Sequence, residues 1–343
     1  MYADELKKTA KAMVAPGKGL LAADESSGTI KKRFDAIGVE STEDLRRDYR
    51  EMLFRSADAM TKNISGVILY DETLRQKAKD GTPLSKLIAA AGSIPGIKVD
   101  KGVVPLPGCP GEVITEGLDG LGERMKEYRA LGARFAKWRA VIDIAAHIPT
   151  FAGIYTNTHA LARYAAICQQ EGIVPIVEPE VLMDGAHDID TCEEVATRVL
   201  KQQFQDLYLQ GVMLEGIVLK PSMVIAGKKS AKQASVQEVA AATLRVLKNC
   251  VPPSVAGIAF LSGGQSDADA TAHLDAMNRM GPLPWPVTYS YGRALQHEPQ
   301  KVWAGKAENV TAAQAAFSRR AHLNGLASLG KWSPELEKAG KAA

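Results

Sequence analysis

Residues 214–223 read LEGIVLKPSM, which sets Lys220 among Ile217, Val218, Leu219 and Met223, all core-type residues. Apolar surroundings strip water from an ammonium group and favour the neutral amine. A neutral amine attacks carbonyl carbon and forms a Schiff base, whose iminium draws electrons from the neighbouring carbon–carbon bond. A carboxylate is then needed to expel water from the carbinolamine and to move protons afterwards. Carboxylates and further cations close other apolar runs: Asp24 and Glu25, Asp71 and Glu72, Lys98, Lys137 and Arg139, Glu178 and Glu180. Two later runs end in Ser262-Gly263-Gly264 and Tyr291-Gly292-Arg293. Backbone N–H groups in such turns can cradle a phosphate.

The elements that carry these residues form a regular series. Short apolar runs occupy 19–25, 66–72, 96–103, 135–141, 174–180, 216–221, 257–264 and 287–293. Their apolar character is continuous rather than alternating, as in parallel strands covered on both faces. Helical patterns fill the intervals. STED from Ser41 reads as a capping box ahead of Leu45, Tyr49 and Leu53. Ser235 with Glu238, and Ser266 with Asp269, repeat the pattern, and Val195, Val199, Phe204 and Leu207 mark a further stripe. Strand–helix alternation with eight strands predicts a (β/α)8 TIM barrel over residues 1–330, followed by a polar, mobile tail over 331–343. An open doubly wound sheet is the alternative, because the pattern alone does not prove closure.

In a barrel the C-terminal strand ends converge on one mouth. A period of two puts Glu178 and Glu180 on one side of their strand, and likewise Lys137 and Arg139. Each residue also has a plainer role. Asp24 and Glu25 could cap the next helix, Lys137 and Glu178 could be a structural ion pair, Gly263-Gly264 could be only a turn, and Lys220 could snorkel to solvent. Their joint placement on separate strands of one barrel favours function, since so many charges are costly to bury without a purpose.

Composition narrows the classes further. Of the 343 residues, 46% are hydrophobic and 24% charged, as in a soluble globular protein. A net charge of +3 is too balanced for nucleic acid or an anionic membrane. The N-terminus MYADELKKTAK is charged where a secretory signal needs an apolar stretch, and no run approaches a membrane span. Cys109, Cys168, Cys192 and Cys250 form no CxxC pair and read as reduced thiols, so a cytoplasmic location is expected. The six histidines make no HxxxH or HxH set, so neither a metal nor another cofactor is expected. A Mg²⁺-dependent barrel enzyme with Asp24, Glu178 and Glu180 as ligands is one rival, and a non-catalytic scaffold another. The joint presence of Lys137, Glu178 and Lys220 weighs against the scaffold.

The segments LLAADESSGTIKKRF, KVDKGVVPL, FAKWRAV, GIVPIVEPE, LEGIVLKPSMV, FLSGGQS and SYGRALQ closely resemble class I fructose-1,6-bisphosphate aldolase, the metal-free Schiff-base type. The resemblance runs from the N-terminus to about Lys331. It implies that Lys220 is the Schiff-base lysine and that Glu178 is the acid–base dehydrating the carbinolamine, with Glu180 in support. It implies that Asp24 takes the C4 hydroxyl proton and that Lys137 stands beside the nucleophile. Ser262, Gly263, Ser290 and Arg293 match the C1-phosphate site, and Ser26, Thr29, Lys32, Arg33 and Lys98 the C6-phosphate end. Arg139, on the same side as Lys137, joins the substrate-binding set. The implied activity is reversible cleavage of fructose 1,6-bisphosphate by a homotetramer; a related preference, for sedoheptulose 1,7-bisphosphate or fructose 1-phosphate, is the nearest alternative. Many members end in a tyrosine-bearing tail, but this chain has no tyrosine after Tyr291.

Overall fold

The computed structural model describes residues 2–338. Its strands are β1 (Gly19–Ala23), β2 (Ile64–Leu69), β3 (Ile94–Lys98), β4 (Val103–Pro105), β5 (Val113–Thr115), β6 (Phe135–Ile142), β7 (Val174–Val181), β8 (Val218–Leu219), β9 (Ile258–Phe260) and β10 (Val287–Tyr291). Eight of them close a parallel barrel in the order β1-β10-β9-β8-β7-β6-β3-β2. Closure is explicit, because β1 pairs with β2 on one side and β10 on the other. Each predicted run supplies one barrel strand, with helices between them, and the fold is a (β/α)8 barrel.

Two hydrophobic clusters divide the work. Leu20, Ala22, Ile68, Phe135, Val174, Ile176, Val218 and Ala259 pack with Leu6, Ala10, Met13 and Val14 in one of them. The barrel interior is therefore filled by alternate strand residues, with the helix Ala3–Met13 packed against them. The opposite parity, such as Leu21, Val67, Ala136, Val177 and Leu219, joins the larger cluster beneath the surrounding helices. Phe135 needs room that its neighbours supply: a Cβ on Gly96 would lie 2.2 Å from its ring, and one on Gly66 2.9 Å. Interior crowding thus explains glycine in both strands.

Three local expectations change. The run 96–103 is not one strand; β3 stops at Lys98, and Val103 opens an antiparallel hairpin of β4 and β5. Those three-residue strands are too short to show a period. The helix Glu43–Phe54 is capped by Thr42, whose hydroxyl accepts from the Leu45 N–H at 3.2 Å, and not by Ser41. Ser235 and Glu238 do form a reciprocal capping box, and Ser266 caps the helix Asp267–Arg279.

The third concerns the segment after Lys331, expected to be mobile. Trp332 is buried, its N–H donates to Asp275 at 2.8 Å, and Glu337 pairs with the buried Arg320. Residues 332–337 are thereby tied to the body, while 339–343 lie outside the described residues. Among the described residues no helix is long and apolar enough to cross a membrane.

Candidate active site

Alternation along the strands determines which side chains enter the mouth. The inward residues Leu20 and Ala22 of β1 are followed by Asp24, and Phe135 of β6 by Lys137 and Arg139. Val174 and Ile176 of β7 lead to Glu178, and Val218 of β8 leads to Lys220. The apolar half of the barrel therefore continues directly into a charged half. A cavity of about 920 Å³ opens there, lined by Asp24, Lys98, Lys137, Arg139, Glu178 and Lys220 among others.

At its centre one carboxylate is shared by two lysines. Lys220 Nζ lies 3.2 Å from Glu178 Oε1, and Lys137 Nζ lies 3.5 Å from Glu178 Oε2. Lys137 also donates to Asp24 Oδ2 at 2.7 Å. Lys137 and Lys220 are each only 4% exposed and Glu178 3%, so these charges compensate one another largely without water. Lys220 is buried as the sequence predicts, but among charged groups and not in an apolar pocket. Its ammonium faces a carboxylate.

Burial opposes charge on Asp24, yet Lys137, Lys220 and Lys98 overcome it and hold the carboxyl at about 2. Burial likewise opposes the Lys137 ammonium, and Asp24, Glu178 and Asp100 hold it above the ordinary lysine range. Asp24 is thus an acceptor and Lys137 a persistent cation at neutral pH. Arg139 is pressed down by burial and raised further by Glu180, which it pairs with. Glu180 lies beside this core without lining the cavity.

Around that core the remaining candidates separate into those at the mouth and those away from it. Ser26, Thr29, Arg33, Ser262 and Ser290 line the cavity. Ser26 also caps the helix Ser27–Asp35, accepting from the Thr29 N–H at 3.4 Å. The cap is Ser26, and neither Asp24 nor Glu25 has that role. Glu25 instead is buried against Arg33 and accepts from Gln296 at 2.8 Å. Lys32 is exposed on the same helix and does not line the cavity. Gly263 and Arg293 do not line it either. The Arg293 guanidinium donates to the Gln265 carbonyl and borders a separate cavity of about 540 Å³ with His297, Lys301 and Arg320.

Several residues at the mouth escaped sequence reasoning. Asp100 accepts from Lys98 Nζ at 2.7 Å and, more weakly, from the backbone N–H of Arg139 at 3.4 Å. The two-residue spacing of Lys98 and Asp100 in KVDKG was the available signal. Tyr70, Arg75, Arg124 and Tyr128 form the cavity's outer wall. Arg75 is engaged by Asp71 at 3.0 Å and Glu127 at 2.6 Å. Nothing in their local sequence marks them as wall residues: Tyr70 directly follows β2, and the other three come from intervals between strands. Glu72, named as a strand-end acid, pairs with Arg46 at 2.9 Å and has a structural role.

Asp24, Glu178 and Glu180 are each matched to a lysine or arginine, an arrangement suited to amine chemistry more than to cation binding. Among the described residues no cluster of acidic, histidine or cysteine side chains has the geometry of a metal site.

Comparison with known proteins identifies the family. Residues 5–343 match the model of the family described as fructose-bisphosphate aldolase class-I. The chain is 56% identical to a probable fructose-bisphosphate aldolase class 1 of Xanthomonas campestris pv. campestris, covering 97% of this chain and 99% of that protein. It is 52% identical to the fructose-bisphosphate aldolase of Echinococcus multilocularis, covering 98% and 93%. The Plasmodium falciparum aldolase, crystallised with TRAP and a small-molecule inhibitor, superposes with a TM-score of 0.94 at 48% identity, covering 97% of this chain and 96% of that one. The chain belongs to the class I fructose-bisphosphate aldolase family.

Proposed function

We propose that this lyase cleaves fructose 1,6-bisphosphate reversibly to dihydroxyacetone phosphate and glyceraldehyde 3-phosphate through a Schiff base on Lys220. The observation that carries the reading is the Glu178 carboxylate set between the Lys220 and Lys137 ammoniums, with Asp24 on the far side of Lys137. Glu178 is close enough to take the proton that frees the amine. The amine adds to the C2 carbonyl and forms a carbinolamine. Glu178 returns a proton to its hydroxyl, which leaves as water and gives the iminium.

The iminium then accepts the electrons of the C3–C4 bond as that bond breaks. Asp24 is ionised and takes the proton of the C4 hydroxyl, so the aldehyde departs as glyceraldehyde 3-phosphate. The remaining enamine gains a proton at C3, and water releases dihydroxyacetone phosphate from Lys220. Lys137 keeps Asp24 ionised and holds Glu178 in place through both halves.

The two phosphates occupy opposite ends of the mouth in this reading. Ser262, Gly263, Ser290 and Arg293 serve the C1 phosphate, supported by the buried Ser290 hydroxyl, which has no hydrogen-bond partner among the described residues. Arg293 must leave the Gln265 carbonyl to do so. Ser26, Thr29, Arg33 and Lys98 serve the other phosphate, with Lys32 at the exposed edge and Arg139 beside the reacting carbons. A cytoplasmic homotetramer completes the proposal. The free cysteines support the location.

Borohydride reduction in the presence of dihydroxyacetone phosphate, followed by peptide mapping, tests the centre of the scheme. The adduct should sit on Lys220 and vanish in Lys220→Ala. Labelling of a different lysine would overturn it.

A further inference from the structure

The turn at 262–265 after β9 is held from behind by a residue that no part of the mechanism uses. Its ends are joined by the Gln265 N–H, which donates to the Ser262 carbonyl at 3.4 Å. Gly264 takes a positive φ of 76°, and a Cβ there would lie 2.1 Å from Met183 Cγ. The turn is therefore packed closely against Met183. On the other side, the buried Gln265 Oε1 meets His273 Nδ1 at 2.6 Å. His273 is itself buried, on the helix Asp267–Arg279 that begins directly after the turn. The Gln265 carbonyl, in turn, accepts from Arg293. One side-chain contact thus fixes the turn and the resting place of the arginine together.

We propose that His273 and Gln265 are positioning residues for the C1-phosphate site, holding the backbone N–H groups of the turn in a geometry ready for phosphate. The proposal rests on the assignment of Ser262, Gly263 and Arg293 to that phosphate. An oxygen acceptor on Gln265 requires the proton on His273 Nδ1. Burial pushes the imidazole down to about 4, against the pull of Asp269, so the ring is neutral at physiological pH, and the contact with Gln265 Oε1 places its one proton on Nδ1. Without the ring, Gln265 Oε1 has no partner in a buried position, and the turn must shift to reach one. Backbone N–H groups that have to be reordered by the ligand bind it less tightly.

The condensation direction separates the two ends of the substrate. KM for dihydroxyacetone phosphate reports the C1-phosphate site, and KM for glyceraldehyde 3-phosphate reports the other. His273→Ala should raise the first about tenfold and leave the second and kcat within about twofold. His273→Asn, which retains an N–H donor, should recover part of the loss. Gln265→Met, similar in volume but without the amide, should shift the same KM and serves if His273→Ala folds poorly. Arg293→Ala is the reference. If it leaves KM for dihydroxyacetone phosphate unchanged, the phosphate assignment fails and the proposal with it. If Arg293→Ala raises that KM while His273→Ala and Gln265→Met do not, the anchor alone is overturned. Equal increases in both KM values would show a general structural role and would also overturn it.

Discussion

Lys220 Nζ lies 3.2 Å from Glu178 Oε1, with both side chains almost wholly excluded from solvent. In the proposed mechanism the nucleophile and its proton acceptor therefore already face each other. The contact comes from adjacent strands: the Lys220 N–H donates to the Val177 carbonyl at 2.8 Å, which sets the two side chains at one height in the barrel. Removing Glu178 takes away the carboxylate that faces Lys220, whereas removing Lys220 leaves Glu178 beside Lys137 at 3.5 Å, so the pair is coupled in stability as well as in chemistry.

Replacing Glu178 with Gln tests the acid–base role with little change in shape. The amide cannot supply or take the proton, and general acid–base catalysis is typically worth about 10²–10⁴-fold. We expect kcat to fall within that range while far-ultraviolet circular dichroism stays unchanged. A near-normal kcat would remove Glu178 from the mechanism.

The lowered Asp24 carboxyl makes a stability prediction with a defined sign. Its folded value, about 2, lies below the ordinary 3.8, so the folded state favours the ionised form. Its contribution is complete above about pH 4 and is lost as pH falls from there through about 2. Each tenfold difference in proton affinity is worth about 1.4 kcal/mol, which makes the contribution about 2 kcal/mol. Urea unfolding at pH 4 and at pH 2.5 should show part of this loss in the native chain, and Asp24→Asn should lack that component. An equal loss in both proteins would contradict the pairing.

Gly264→Ala should be costly on two grounds. Its φ of 76° is unfavourable for a residue with a Cβ, and that Cβ would press against Met183. Together these come to about 2–4 kcal/mol of stability. Binding of dihydroxyacetone phosphate should weaken in the same variant. Thermal unfolding and KM measured together check both effects, and an unchanged melting temperature would argue against the turn geometry.

The C-terminal segment should matter more for stability than for substrate choice. Deleting residues 335–343 removes Glu337 and leaves Arg320, almost fully buried, without its carboxylate. Breaking such a pair costs about 3 kcal/mol. The ratio of kcat/KM for fructose 1,6-bisphosphate over fructose 1-phosphate should change less than about tenfold, or about 1.4 kcal/mol. Lys98→Ala should lower that ratio more, because Lys98 lines the cavity at the proposed second phosphate end. Collapse of the preference on truncation, with Lys98→Ala neutral, would reverse these roles.

Much of the fold was legible in the chain. Eight continuous apolar runs located eight barrel strands, because a strand covered on both faces admits few polar residues. The hairpin of β4 and β5 was hidden because its strands are three residues long and partly exposed. The cap at Thr42 was misplaced by one residue, since Ser41 and Thr42 carry equivalent hydroxyls and only the backbone path selects between them.

For the site, sequence alone determined which residues could meet. Alternation is a property of the strand backbone, so the parity of Asp24, Lys137, Glu178 and Lys220 follows from local geometry. Closure of the barrel decided which of them do meet, and at what distance. Lys137 was paired in prospect with Glu178, yet its shorter contact is with Asp24 across the mouth. Arg293 was placed at the phosphate site by its position after β10, yet its side chain rests on the Gln265 carbonyl. A long side chain can reach several partners from one backbone position. The choice among them depends on strand stagger and on the packing of neighbouring loops, which are set by contacts far apart in the chain.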